Sequence, residues 1–245
     1  MSQPLPVIWH ETIDSTNAHA KRLAQAGRFP EHWIAAHRQT AGRGRLGRSW
    51  ESPKGNAYAT ALISVPGGVS DALRLPFAAA LAVHDTIAAF APDADLGLKW
   101  PNDVRCKGAK LSGILVESGS SDTSTWAAVG VGINVATAPE SVGQTATCLA
   151  QICDGLVPSA DLVLEALVEA FESRKSQAWS DFAHTRHDWS ARAEGRSGLV
   201  KAVVGDRVFE GSFAGLADDG GLMLDLPCGT RETIRAGDVE LVRRV

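Results

Sequence analysis

Residues 127–135, Ala-Ala-Val-Gly-Val-Gly-Ile-Asn-Val, constrain the fold more than any other stretch. Strict alternation puts Val129, Val131, Ile133 and Val135 on one face and Gly130, Gly132 and Asn134 on the other. The first face belongs in a core. Interior glycines weaken a strand and mark close approach of a ligand or another backbone. The expectation is a flat, bare shelf ending at Asn134, suited to a small ring system.

Other segments supply the rest of a sheet and its helical cover. Residues 7–9, 32–37 and 57–65 read as strands. Ser15 or Thr16 can cap a helix over 18–26, with Gly27 fitting the position just past its end. Residues 70–91 carry Leu73, Phe77, Leu81 and Ile87 at helical spacing, which predicts an amphipathic helix. A second helix over 158–179 turns Leu162, Val163, Leu167, Val168 and Phe171 inward, and helix can continue over 181–194. A strand from Leu96 ends at Trp100, because Pro101 cannot donate to a ladder. Asn102 and Asp103 then stand at a strand end. Lys107 and Gly108 make a turn, and Lys110 opens the returning strand with small Ser112 and Gly113 beside it. Residues 141–147 read as a polar loop. After Gly195 the texture changes to short alternating runs with turn signals, which predicts a small β-barrel. The division is therefore 1–194 and 195–245.

The chemistry concentrates in residues 42–48, Gly-Arg-Gly-Arg-Leu-Gly-Arg. Guanidiniums bind phosphate or carboxylate oxygens in pairs, and glycines let backbone approach a ligand. The pattern predicts a mobile cationic loop that closes over an anion. Gly42, Gly44 and Gly47 satisfy a dinucleotide-binding spacing, but that motif must open a helix, and Pro53 and Gly55 follow instead. A nucleic-acid-binding role would want a basic chain, whereas this one carries a net charge of −4. No run approaches the roughly 18 apolar residues of a membrane span, and no signal peptide is visible. Cys106, Cys148, Cys153 and Cys228 form no C-x-x-C pair and read as free thiols in a reducing cytoplasm.

Five blocks occur in order: Ser15-Thr-Asn17, Gln39 through Arg48, Lys99-Trp-Pro-Asn-Asp103, Lys110 through Glu117, and Gly130-Val-Gly-Ile-Asn134. Together they resemble the signature blocks of biotin–protein ligases, over essentially the whole chain. The resemblance implies an α+β fold: a mixed sheet packed with helices, the biotin–lipoate ligase fold related to class II synthetases, plus a C-terminal SH3-like β-barrel. It implies the monofunctional form, without an N-terminal DNA-binding domain. The implied reaction joins biotin to ATP as biotinyl-5′-AMP, then passes biotin to a lysine of a carboxylase's biotin carboxyl carrier domain. Biotin would lie against Ser15, Thr16, Asn17, Gln39, Gly42, Arg43, Gly44, Arg45, Lys110, Gly113 and Gly132. ATP would meet Arg45, Arg48, Trp50, Lys99, Asn102 and Asn134. Lys110 would bridge the carboxylate and the α-phosphate. Asp103 would orient Lys110 or help hold Mg²⁺. Trp50 and Trp100 would pack the loop and the site floor or flank the ligand. Relatives dimerise through the main sheet's edge, so a homodimer stands beside a monomer as an implied state.

In some relatives an aromatic residue stacks on adenine after the Gly-x-Gly-Ile-Asn strand, but residues 144–149 here contain none. Two rivals follow from the same fold. A lipoate–protein ligase would differ in the arginine loop and in the 99–103 block. A non-catalytic biotin or nucleotide sensor would lack Lys110 or the arginines.

Overall fold

The alternating segment around Val129 is the central strand of a seven-stranded mixed sheet. The computed structural model describes residues 4–27, 31–120, 124–140, 145–196 and 198–242. The strands are β1 (Val7–His10), β2 (His32–Ala36), β3 (Ala57–Ser64), β4 (Leu96–Lys99), β5 (Asp103–Cys106), β6 (Ala109–Ser120) and β7 (Thr125–Ile133). Their order is β1-β2-β3-β7-β6-β5-β4, with β1 parallel to β2 and every other pair antiparallel. Strand β5 is an addition to the elements expected from sequence. It turns the 99–103 block into a hairpin in which Lys99 faces Asp103.

Alternation divides the sheet's two faces. Trp33, Ala35, Ala57, Ala59, Ala61, Ile63, Val129, Val131 and Ile133 enter the main core. That core also takes side chains of α3 (Leu75–Phe90) and α5 (Ala160–Ser180). Each large apolar side chain buried there stabilises by roughly 1.5–3 kcal/mol. On the opposite face Ile34, Leu62, Trp126 and Ala128 pack with Ala20 and Ala24 of α1 (Thr16–Gln25). Ser15 caps α1, its hydroxyl accepting from the Ala18 amide at 3.4 Å, and Gly27 follows with φ +68°.

The helices depart from the sequence reading in two places. Residues 70–91 split into α2 (Val69–Ala72) and α3, and Leu73 between them is exposed. Helix α3 is buried nearly all round, Ala78, Ala79, Ala80 and Ala82 included, because the sheet, α5 and α6 (Phe182–Ala191) enclose it. The expectation that no run approaches a membrane span is corrected here, since Val69–Phe90 is long and apolar enough to cross one, and burial of α3 accounts for that composition. In α5, Leu162 is exposed rather than inward. It lies nine residues from Phe171, half a turn out of phase at 3.6 residues per turn.

The short helix α4 (Leu149–Ile152) follows β7. Of the expected loop over 141–147, residues 141–144 lie outside the described residues. The C-terminal strands are β8 (Leu199–Val204), β9 (Arg207–Leu216), β10 (Leu222–Asp225), β11 (Arg231–Ile234) and β12 (Asp238–Val242), in the order β11-β10-β9-β8-β12. The module is SH3-like, but its sheet is not closed into the expected barrel. Among the described residues β11 and β12 remain its two edges, since β12 pairs only with β8. Strand β9 of this small sheet packs on α6: the Trp189 ring lies 6.4 Å from that of Phe213, and Arg186 donates to the Leu216 carbonyl at 2.9 Å.

Candidate active site

The same alternation that fills the core turns Thr60 of β3, Gly113 and Leu115 of β6, and Gly130 and Gly132 of β7 toward α1. Thr60 is in register with Gly130, and Gly113 with Gly132. Over this face opens a cleft of about 840 Å³. Every candidate residue named from sequence lines it except Gly42. Gly42 is buried beneath the loop, where a Cβ would strike the Trp50 carbonyl oxygen.

The glycine shelf is not bare. A Cβ on Gly132 would come within 2.6 Å of the Trp50 indole, and one on Gly113 within 2.8 Å. A Cβ on Gly130 would strike the Asn17 side-chain oxygen. The glycines therefore seat two protein side chains. The Trp50 Nε1 is buried without a hydrogen-bond partner.

One end of the cleft is neutral and densely hydrogen-bonded. The Gln39 side-chain oxygen accepts from the Thr16 amide at 2.9 Å, and its nitrogen donates to Ser52 Oγ at 2.9 Å. Thr60, buried and absent from every sequence-based list, donates to Asn17 Oδ1 at 2.7 Å. Asn17 Nδ2 donates to the Leu115 carbonyl at 3.1 Å and to Glu117 at 3.2 Å. Glu117 also lies 3.5 Å from Lys21 and 3.8 Å from Arg43, tying α1 to the loop. Just before the cap, Asp14 accepts two bonds from Arg22, at 2.7 and 2.9 Å, and this holds its carboxyl down at about 2.

The other end is cationic. Lys110 Nζ stands 2.8 Å from Asp103, both side chains largely buried, and 5.4 Å from the Trp50 ring centroid. Ion pairing on one side and the indole on the other hold the ammonium at the cleft. The arginine loop is folded over this end rather than open. Arg43 pairs with Ser49 as a β-bridge, the Trp50 amide donates to the Gly42 carbonyl at 2.9 Å, and the Gly44 amide to that of Arg48 at 2.7 Å. Arg45–Gly47 forms a tight helical turn with Leu46 at φ +54° and highly exposed. Arg45 reaches across to donate to Asn102 Oδ1 at 3.0 Å, and Asn102 in turn donates to the Ile114 carbonyl at 2.8 Å. Arg48, Trp50 and Lys99 complete the lining on this side.

Asn134, expected at the nucleotide, is almost fully buried, and its amide donates to the Thr147 carbonyl at 3.0 Å. Asn134 lines the cleft, and this bond also helps hold the strand-like segment that pairs with Lys110, through the Lys110 amide to Thr145 (2.8 Å) and the Thr147 amide to Lys110 (2.9 Å). Thr145 and Ala146 line the cleft there without an aromatic ring. Asn56, just beyond Pro53 and Gly55, accepts from the amides of Val135, Ala136 and Thr137 and fixes the chain as it leaves β7. Among the described residues no three His, Cys, Asp or Glu side chains cluster as a metal site.

The C-terminal sheet braces the 99–103 hairpin. Trp100 lines the cleft, and its Nε1 donates to the Gly220 carbonyl at 3.1 Å, which fixes the ring against the C-terminal sheet. Arg105 and Glu194 pair at 3.1 Å, and Leu98 forms a parallel bridge with Ala193.

Residues 9–134 match the model of the biotin/lipoate A/B protein ligase family, and residues 200–242 that of the biotin protein ligase C-terminal domain. The chain is 40% identical over 233 residues to a biotin–[acetyl-CoA-carboxylase] ligase of Paracoccus denitrificans, covering 92% of this chain and 96% of that one. A Mycobacterium tuberculosis protein of the same name is 34% identical, with coverage of 94% and 86%. The fold superposes on the biotin protein ligase of Aquifex aeolicus, solved with biotin and ATP, with a TM-score of 0.80 at 28% identity over 98% of this chain and 99% of that one. The ordered blocks, the cleft they build and these likenesses together establish that the chain belongs to the biotin/lipoate protein ligase family, among its biotin protein ligases.

Proposed function

We propose that this chain is an ATP-dependent biotin–protein ligase that forms biotinyl-5′-AMP and then biotinylates a lysine of a biotin carboxyl carrier domain. The observation that carries this reading is the cleft's polarity. A neutral, hydrogen-bonding end at Thr16, Asn17 and Gln39 suits a buried polar ring, and a cationic end at Lys110, Arg45 and Arg48 suits a carboxylate meeting phosphates.

In the first step a carboxylate oxygen of biotin attacks the α-phosphorus and pyrophosphate leaves. Lys110, held by Asp103, stabilises charge developing on the α-phosphate as the two anions meet. Arg45 exchanges Asn102 for phosphate oxygens, and Arg48 adds a second guanidinium. Mg²⁺ would enter with ATP and supply further positive charge for the phosphates. In the second step the carrier's lysine amine attacks the acyl carbon and AMP leaves. The folded loop keeps water off the anhydride between the steps. A reducing cytoplasm is the setting, consistent with Cys106, Cys148, Cys153 and Cys228 all being free.

Incubation with biotin, ATP, Mg²⁺ and a biotin carboxyl carrier domain, blotted with streptavidin, tests the proposal. Labelling that needs both biotin and ATP is expected. A blank blot together with lipoate attachment in a parallel reaction would transfer the chain to the rival activity, and a blank in both would leave a sensor.

A further inference from the structure

We propose that Thr60, which does not line the cleft, fixes the direction of the hydrogen bonds at the neutral end, so that Thr16 offers the ligand lone pairs and selects a ring bearing an N–H donor. The inference rests on the ligase reading above and deepens it to the basis of ring selection.

The donor and acceptor chemistry of the neighbouring groups determines the direction. A backbone amide only donates, so the Thr16 N–H at 2.9 Å identifies the Gln39 atom beside it as the oxygen. Asn17 turns its nitrogen to two groups that only accept, the Leu115 carbonyl and the Glu117 carboxylate. Its oxygen therefore faces Thr60, 2.7 Å away, and takes the single Thr60 hydroxyl proton. Thr60 Oγ1 is left as an acceptor 2.8 Å from Thr16 Oγ1, and Gln39 Oε1 is a second acceptor 3.2 Å from it. The Thr16 proton goes to the nearer of the two, Thr60, because Gln39 Oε1 already accepts from the Thr16 amide. What remains toward the cleft is lone-pair density.

Thr60 is 0% exposed and Thr16 4%, so water is poorly placed to relax this order. A buried acceptor facing another acceptor carries the full cost of an unsatisfied group. A cyclic urea meets Thr16 with an N–H. A dithiolane ring has none to offer. Gly130 completes the arrangement, because a side chain opposite Thr60 would displace the Asn17 amide.

The test compares biotin with isosteric analogues in which each ring N–H in turn is replaced by oxygen, read as kcat/KM in ligand-dependent ATP–pyrophosphate exchange. Wild type should favour biotin over at least one analogue. Thr60→Val keeps the side chain's shape, removes the nearer acceptor so that only the longer contact to Gln39 competes with the cleft for the Thr16 proton, and should narrow that preference by about tenfold, mainly through KM. Thr60→Ser should restore it. Thr60→Ala gives the same reading should Val disturb packing. A preference unchanged in Thr60→Val and Thr60→Ala, or lost in Thr60→Ser as well, would overturn the proposal, as would a wild type indifferent to all the analogues. A wild type inert toward biotin itself would instead remove the ligase reading.

Discussion

The two ends of the cleft are built on opposite principles. At the neutral end each polar group of Thr16, Asn17, Gln39 and Thr60 already has a protein partner, and the bonds form one directed network. At the cationic end the partners are replaceable: Arg45 rests on a neutral amide, and Lys110 on one carboxylate and an indole. A network whose protons are all assigned within the protein is rigid and selects a ground-state shape. Provisionally paired cations can transfer their attraction to charge that appears only during reaction. The contrast implies that substitutions at the first end act on binding and selectivity, and those at the second on rate.

The largest effect should come from Lys110→Ala, which removes the fixed ammonium. Biotin-dependent ATP–pyrophosphate exchange should fall by about 100- to 1,000-fold, the usual loss for one transition-state donor. An exchange rate equal to wild type would break the contrast outright. Arg45→Ala is next. Losing a charge-assisted hydrogen bond should slow the first step by about tenfold or more. It should also let biotinyl-AMP escape, seen as streptavidin labelling of bystander proteins. Retention of the intermediate as in wild type would refute the loop's role as a cover.

Gly132→Ala probes the boundary between the two ends. Its Cβ would meet the Trp50 indole at 2.6 Å, so the ring must move, at a cost of roughly 1–3 kcal/mol in denaturant unfolding. In a Trp50→Ala background the same change should cost little. An equal penalty in both backgrounds would show that the glycine serves something other than the indole. The smallest effect belongs to Asp14→Asn, beside the cap of α1. Asp14 is held at about 2 by its bonds to Arg22, below the usual 3.8, so the folded state favours its charged form. The pair's contribution is complete above the usual value and is lost as pH falls through about 2. Because both side chains are about half exposed, the substitution should cost only a few tenths of a kcal/mol at neutral pH. No difference from wild type should remain below pH 2. A gap that persisted there would assign the effect to something other than the ion pair.

Much of the site was legible in advance, for chemical reasons. Lys110, Asp103 and the arginines are residue types whose charge is costly to place without purpose. Alternation in 127–135 put the glycines on the right face. What escaped were neutral residues whose meaning lies in a partner far along the chain. Thr60 reads as a polar residue in a strand of alanines, and only its 43-residue separation from Asn17, closed by the sheet, gives it a role. Asn56 escaped in the same way, since its three amide partners follow β7 about eighty residues on. Strand alternation through Ala57, Ala59 and Ala61 was the available signal for Thr60, because it places that hydroxyl on the face opposite the core.

The sequence by itself determined the sheet's central strand, the cap of α1, the order of the functional blocks and the charges that would gather around a ligand. These follow from local periodicity, backbone permissiveness and ionisation, which a chain carries wherever it goes. Only the tertiary structure decided that the glycine shelf seats Asn17 and Trp50, that the C-terminal sheet stays open and braces Trp100, and which way the hydrogen bonds at Thr16 run. Those outcomes depend on which atoms become neighbours after distant strands pair. Hydrogen-bond direction, in particular, is a property of the whole network and of no single residue in it.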